Sequence, residues 1–545
     1  MRLNNKDLQD KRPWEKAGIL LPRFDRGTMI RTTRESPRWV HFGAGNIFRA
    51  FPAALQQILL DRGIENTGII AVEGYDGEII DKVFRPCANA TLAVTLKSDG
   101  TIEKRVIASV AQALRLDSHK DFDILRGIFR SPSLQMVSFT ITEKGYSLSD
   151  CKNPPPDAEA DFINGPENPQ SYLGCLAGLC YERYRAGKFP LALVSMDNCF
   201  HNGDKLFQCV ESFVIHWREK DLVEPGFLDY IRDPSRVSFP RTMIDKITPR
   251  PDEAVGKMLE ALGFTDTAVQ ITAKNTYVAP FVNAEETQYL VIEDVFPAGR
   301  PALEAAGVLF TGRDTVDRAE KMKVCTCLNP LHTALAIFGC LLGYTRISAT
   351  MKDWDLVRLV EIIGYTEGLP VAADPGVLSP KQFIDQVLQV RFPNPFIPDT
   401  PQRIATDTSR KLSVRFGETI KAYLTDPARN IGDLKCIPLV LAAWVRYLMG
   451  IDDQGAPFTV SPDPLYDILC PALSGIRLGQ KGPFHRQLEP ILSNSGIFGF
   501  DLYGSGCGEL VETYFEELTS GPGAVRSTLK RLTGNPLPSP IPTIK

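Results

Sequence analysis

No stretch of the chain is apolar over the roughly 18–20 residues that a bilayer crossing requires. Leu331–Tyr344 is shorter and carries His332, and Ile437–Val445 stops at Arg446. Cysteine occurs twelve times but never as a CxxC pair; only Cys325 and Cys327 are close together. A structural zinc centre needs paired thiolates, and six dispersed histidines do not supply a histidine-built one, so no metal is expected. The N-terminus, MRLNNKDLQDKRPWEK, is polar from its second residue and has no secretory apolar core. Reduced thiols and a cytoplasmic setting are therefore expected. A dominant charge is also lacking. The 61 basic and 65 acidic side chains leave −4, which gives no reason to expect nucleic acid or a membrane surface as partner.

What is present is a chain of 545 residues, 43% apolar, enough for at least two domains with their own cores. Arg38–Phe42 (RWVHF) reads as a strand ending on Gly43-Ala44-Gly45. Helical spacing follows over Phe48–Leu60, then strand-length apolar runs at Ile69–Val72, Leu134–Ile141 and Leu191–Met196. Strand, helix, strand at this spacing is the pattern of a parallel α/β sheet, whose ligands bind at the carboxyl ends of the strands. Pro154–Pro169, rich in proline, asparagine and acids, reads as a surface excursion. Beyond the Pro297–Pro301 turn, helical-period segments dominate at 331–344, 352–364, 415–425 and 437–449. The expected organisation is α/β: a Rossmann-like domain over 30–305, then a mostly α-helical domain over 306–545.

A strand that ends in Gly-x-Gly before a helix lets the backbone approach a dinucleotide pyrophosphate, which rests on the N–H groups of the helix start. Gly43, Gly45 and Asn46 are placed for this, although the third glycine of the full fingerprint is missing. Arg49, on the first turn, is a candidate phosphate ligand. Glu73 ends the second strand, where a carboxylate bonds the ribose 2′-hydroxyl and repels a 2′-phosphate, favouring NAD; Asp76 is the alternative.

Polar clusters follow the later strands. They are Thr142-Glu143-Lys144-Gly145-Tyr146, then Ser195-Met196-Asp197-Asn198 with Asn202-Gly203, then Phe239 to Pro249. Each alone is also ordinary turn chemistry. The segment from Glu320 to His332 is different, because it gathers an acid, two lysines, an amide and a histidine ahead of an apolar helix.

Taken together, HFGAGNIFRAF (41–51), TEKGY (142–146), VSMDN with NG (194–203), FPRTMIDKITP (239–249), VIEDVFPAGRP (291–301), the lysine–asparagine–histidine segment, and RFPNP followed by Arg403 and Lys411 resemble the polyol-specific long-chain dehydrogenases. That family includes mannitol 2-dehydrogenase and fructuronate reductase. The resemblance implies an NAD-dependent oxidoreductase with no zinc, in which Lys323 is the general base. It implies that Asn198 and Asn329 hold the developing alkoxide, that His332 positions substrate and that Glu320 passes the proton outward. Asp245, Arg403 and Lys411 would line the substrate site, and Thr142 and Glu143 stand on the cofactor side. A lysine at its free pKa of ~10.4 is a poor base, so this one must be buried near cations.

Lys323 and Asn329 are six residues apart, one more than the family's usual spacing. On a regular helix Lys323 and His332 would face opposite sides. An extra residue in a π-turn or a break before Pro330 is therefore expected, with Lys321 the alternative base, and Asn329 is left two jobs, capping and oxyanion binding. The substrate reading is a keto sugar acid, D-fructuronate reduced to D-mannonate. The alternatives are mannitol with fructose, or a dinucleotide-binding sensor without turnover. Monomer and dimer both remain open.

Overall fold

The computed structural model describes residues 1–150 and 154–534. The chain divides into two compact units, Met1–Asp317 and Arg318–Lys545.

The first unit is built on six strands: β1 (Trp39–Phe42), β2 (Ile69–Glu73), β3 (Val110–Arg115), β4 (Met136–Phe139), β5 (Leu191–Ser195) and β6 (Val237–Ser238). They pair throughout in parallel, in the order β3-β2-β1-β4-β5-β6. Trp39 lies opposite both Ile69 and Met136, and Phe42 opposite Val72 and Phe139. Every residue of β1, β2, β4 and β5 is buried, which is why these strands read as unbroken apolar runs. The two faces still alternate. Val40, Phe42, Ile70, Val72, Val137, Phe139, Leu191 and Leu193 enter one core. Trp39, Ile69, Ala71, Met136, Ala192 and Val194 enter the other. This strand order is doubly wound, and its reversal leaves a crevice between the carboxyl ends of β1 and β4.

Two expectations change. The helix after the glycine turn is two segments, Asn46–Ala50 and Pro52–Asp61. Phe51 breaks it (φ −126°, ψ −75°), because Pro52 has no N–H and opens the second segment. Pro154–Pro169 is not a surface excursion either. It contains the helix Pro156–Asn164, whose Phe162 packs on Phe213 and stacks on His216. The Asp161 carboxylate accepts N–H bonds from Gln170 and Ser171, which folds the polar run back on itself. Cys151–Asn153 lie outside the described residues.

The second unit is helical. The buried helix Cys436–Tyr447 lies at its centre. Its first N–H groups, with that of Lys435, donate to the Glu367 carboxylate at 2.7–2.8 Å. Among the unit's described residues, four helices contain π-turns: Met322–Cys327, Ile362–Gly368, Val387–Arg391 and Ser413–Gly417. Each holds an ionisable side chain of consequence, namely Lys323, Glu367, Arg391 and Arg415. The helical stretch Arg313–Leu341 is long and apolar enough to cross a bilayer by length and composition alone, and 83% of its apolar window is buried within the protein.

Candidate active site

The glycine turn is set by contacts that leave no choice of residue at Gly43. Its φ is +100°, and a Cβ there would lie 2.2 Å from the Thr140 carbonyl oxygen. Gly45 is the opposite case. A Cβ built on it meets nothing within 4 Å, so the backbone at the carboxyl end of β1 faces open space. Gly45 also caps the helix Asn46–Ala50, at whose start the first N–H groups have no helical partner. An open backbone cradle ending on helix N–H donors fits a dinucleotide pyrophosphate. Asn46 borders it, with its amide 3.4 Å from the Pro249 carbonyl.

Glu73 does a different job from the one expected. It is 5% exposed, and its two oxygens accept N–H bonds from Ala44 (2.8 Å), Tyr75 (2.8 Å) and Asp76 (3.0 Å). Burial pushes its carboxyl above the usual range, against the pull of those three donors. The side chain thus ties β2 to the glycine turn. Asp76 is equally occupied, accepting the Thr272 hydroxyl at 2.6 Å. Arg49 is not a phosphate ligand. It is 1% exposed and donates to Thr91 Oγ1 and the Ala279 carbonyl, because its face of the short helix points into the core beneath. Burial lowers it to about 10.

Beneath the turn runs a buried polar seam. Trp39 Nε1–H donates to Ser138 Oγ (2.7 Å), which lies 2.6 Å from His41 Nδ1. His41 Nε2 lies 2.9 Å from Thr140 Oγ1, and Thr140 donates to the Gly43 carbonyl (3.1 Å). One assignment satisfies every member: Ser138 donates to Nδ1, and Nε2–H donates to Thr140. The ring is neutral, since burial lowers its pKa to about 3.

Asp197, after β5, binds the end of β4. It accepts the N–H groups of Ile141 (3.0 Å) and Thr142 (2.7 Å) and the Tyr146 hydroxyl (2.7 Å). These bonds hold Thr142 at φ +65°, a strained position for a β-branched residue. Thr142 is exposed beside the crevice, whereas Glu143 pairs with Lys205 at 2.6 Å on the surface. Asn198 is exposed one residue past Asp197. Asn202 is buried, and its amide binds the Asp197 carbonyl and both the backbone and the hydroxyl of Thr242. It docks the strand Thr242–Asp245, which carries Asp245, 8% exposed. Asp197, Tyr146 and Asn202 shape this edge and were passed over as turn residues. The available signal was an Asp directly after a buried strand.

The helix Arg313–Lys321, whose last four residues open the second unit, runs into the π-turn Met322–Cys327. The Leu328 N–H bonds the Lys323 carbonyl at 3.1 Å, five residues back. Leu328 then breaks the helix (φ −130°, ψ −63°), and Asn329–Leu341 begins with Pro330 in its first turn. The six-residue spacing is thus taken up by a π-turn. Lys323 is 2% exposed and Glu320 5%, whereas Lys321 is exposed. Asn329 is not the cap; Leu328 is, without a side-chain bond, and this leaves the Asn329 amide free of capping.

His332 follows. Burial, aided by Arg415, Arg403 and Arg391, lowers it to about 3, so the ring is neutral. Its Nε2 is buried without a hydrogen bond, 3.5 Å from Asp399. Arg403 is 62% exposed and pairs with Asp399, and Lys411 donates to the Thr406 carbonyl at 2.5 Å. Among the described residues no group of three or more His, Cys, Asp or Glu is arranged to hold a metal.

Residues 37–305 match the mannitol dehydrogenase Rossmann domain and 315–518 the mannitol dehydrogenase C-terminal domain. The chain belongs to the mannitol dehydrogenase family. A D-mannonate oxidoreductase of Thermotoga maritima is 51% identical over 98% of this chain and 99% of its own length. A mannitol 2-dehydrogenase of Neosartorya fischeri is 28% identical over 95% and 96%. Among solved structures, the Pseudomonas fluorescens mannitol 2-dehydrogenase in ternary complex with NAD and D-mannitol has a TM-score of 0.71 at 26% identity, covering 98% of this chain and all of that one.

Proposed function

We propose that this mannitol dehydrogenase family member is an NAD-dependent reductase of a keto sugar acid, of the D-fructuronate to D-mannonate kind. The observation that carries the reading is the 51% identity, end to end, with a protein named D-mannonate oxidoreductase. The cradle at Gly43–Asn46 holds the dinucleotide, with Thr142 beside it. NADH, when bound, supplies the hydride.

The residues of the chain manage the proton and the charge. Hydride arrival at the keto carbon places negative charge on its oxygen. Asn198 and Asn329 donate to that oxygen, and the Lys323 ammonium delivers the proton that makes it a hydroxyl. Burial of Lys323 supports this role, because a lysine kept from bulk water exchanges its proton with the substrate oxygen rather than with solvent. Glu320, one turn earlier, returns a proton to the lysine from outside, and neutral His332 orients a substrate hydroxyl. The free thiols among the described cysteines and the use of NADH both favour a cytoplasmic setting.

Mannitol 2-dehydrogenase activity is the second reading, supported by the Pseudomonas structure with mannitol bound. Initial rates with NADH on D-fructuronate, D-tagaturonate and D-fructose decide between them. A kcat/KM at least ~10-fold higher on a keto acid is expected. Preference for D-fructose overturns the keto-acid reading, and NADH binding without turnover of any of them would mean a sensor.

A further inference from the structure

Arg415 is a partly buried cation with no counter-ion among the described residues. It sits in the π-turn Ser413–Gly417. Its Nη1 donates to Thr333 Oγ1 at 2.5 Å, and no carboxylate among the described residues lies within ion-pair distance. Burial lowers the guanidinium to about 10. A guanidinium has five N–H donors, and a single threonine oxygen occupies one of them. Neutral acceptors can satisfy a buried guanidinium, as they do for Arg49, but Arg415 has only one, which leaves its other donors for an anion from outside the chain.

The surroundings say where the anion comes from. Arg415 and Arg403 both lower His332 and Lys411, so the two arginines and Lys411 form one positive field around the neutral His332 ring. The members expected to bind substrate have other partners: Arg403 has Asp399, and Lys411 has the Thr406 carbonyl. Of the two arginines, Arg415 is the one with no carboxylate partner among the described residues. Its position is fixed relative to the proposed oxyanion group, because the fully buried Thr333 hydroxyl donates to the Asn329 carbonyl at 2.8 Å. With its proton so committed, Thr333 Oγ1 can only accept from Arg415, and the guanidinium is held one residue-bridge from Asn329.

We propose that Arg415 receives the carboxylate of the sugar acid and is the residue that makes this site select a keto acid over a neutral ketose. The inference rests on the keto-acid reading above. The selecting charge is then on a side chain four residues beyond Lys411.

The test is steady-state kinetics with NADH on D-fructuronate and D-fructose for the full-length wild type, Arg415→Gln and Arg415→Lys. Arg415→Gln should lower the ratio of kcat/KM for keto acid over ketose by ~100-fold, mainly through a higher KM for the acid, with the NADH dissociation constant unchanged. Arg415→Lys keeps the charge but not the fork, and should lower the ratio ~10-fold. Should the glutamine variant not fold, the lysine variant carries the same test. Equal losses on both substrates, or an unchanged KM for the acid, overturn the role of Arg415 and leave the keto-acid reading standing. A wild type that reduces D-fructose and no keto acid defeats that reading instead.

Discussion

The Ala44 N–H donates to Glu73 Oε2 at 2.8 Å, so the acid at the end of the second strand belongs to the glycine turn. Removing it strands three N–H groups, of which the buried ones of Ala44 and Asp76 cost about 1–3 kcal/mol each. Glu73→Ala should therefore lower the melting temperature and weaken NADH and NADPH binding by similar factors. Fluorescence titration with both cofactors checks this. A change of ~10-fold or more in their ratio would return Glu73 to the ribose.

His41 makes the first unit sensitive to acid. Its folded pKa is about 3, against ~6.5 for a free ring. A folded pKa below the unfolded one means that the unfolded chain binds the proton first. The stabilisation is complete above about pH 6.5 and is lost as pH falls from there towards 3, with a slope of up to ~1.4 kcal/mol per pH unit. Calorimetry at pH 7 and pH 5 should show this decline, and a shallower one in His41→Gln. Equal slopes in the two proteins would mean that the ring is not buried neutral.

The six-strand core was legible in the sequence because a parallel sheet covered on both faces leaves unbroken apolar runs, as in Ile69–Val72 and Leu191–Val194. The π-turn was legible too, from the Lys323–Asn329 spacing and Pro330 together. Side-chain direction was not. Arg49 and Glu73 have suitable types at suitable positions, yet one points into the core and the other into its own turn. Composition cannot show which face of a five-residue helix is covered, nor that Pro156–Asn164 hides an aromatic under an acidic, proline-rich exterior. Arg415 was passed over for a related reason: an arginine draws notice only once its lack of a carboxylate partner is visible.

Burial also separates the two lysines. Lys323 is 2% exposed and Lys321 is exposed. Lys323→Ala should lower kcat by at least ~10³-fold while leaving NADH affinity within about threefold, since loss of a general acid–base group costs ~10²–10⁴. Lys321→Ala should stay near wild type. Rapid-mixing measurement of NADH oxidation, alongside the affinity, distinguishes a lost proton donor from lost binding. The reverse pattern would make Lys321 the base.

The π-turn supplies the sharpest test of the active-site geometry. A π-turn is an α-helix that has taken in one residue without rotating the segments on either side. Here it closes between the Lys323 carbonyl and the Leu328 N–H at 3.1 Å, and the next helix starts afresh at Asn329. Deleting Leu328 should let the ladder revert to α geometry with Lys323 and Asn329 in nearly the same relation. The buried leucine is lost, at about 1.5–3 kcal/mol, so the melting temperature should fall. Turnover should nonetheless stay within about tenfold of wild type. Inserting an alanine after Lys323 is the contrasting case. That ladder already holds its one extra residue, so a second must turn Lys323 by ~100° relative to Asn329 and His332. Turnover should then fall at least ~10²-fold with NADH affinity retained. If the deletion silences the enzyme while the insertion does not, the π-turn is not a spacer between the lysine and the amide.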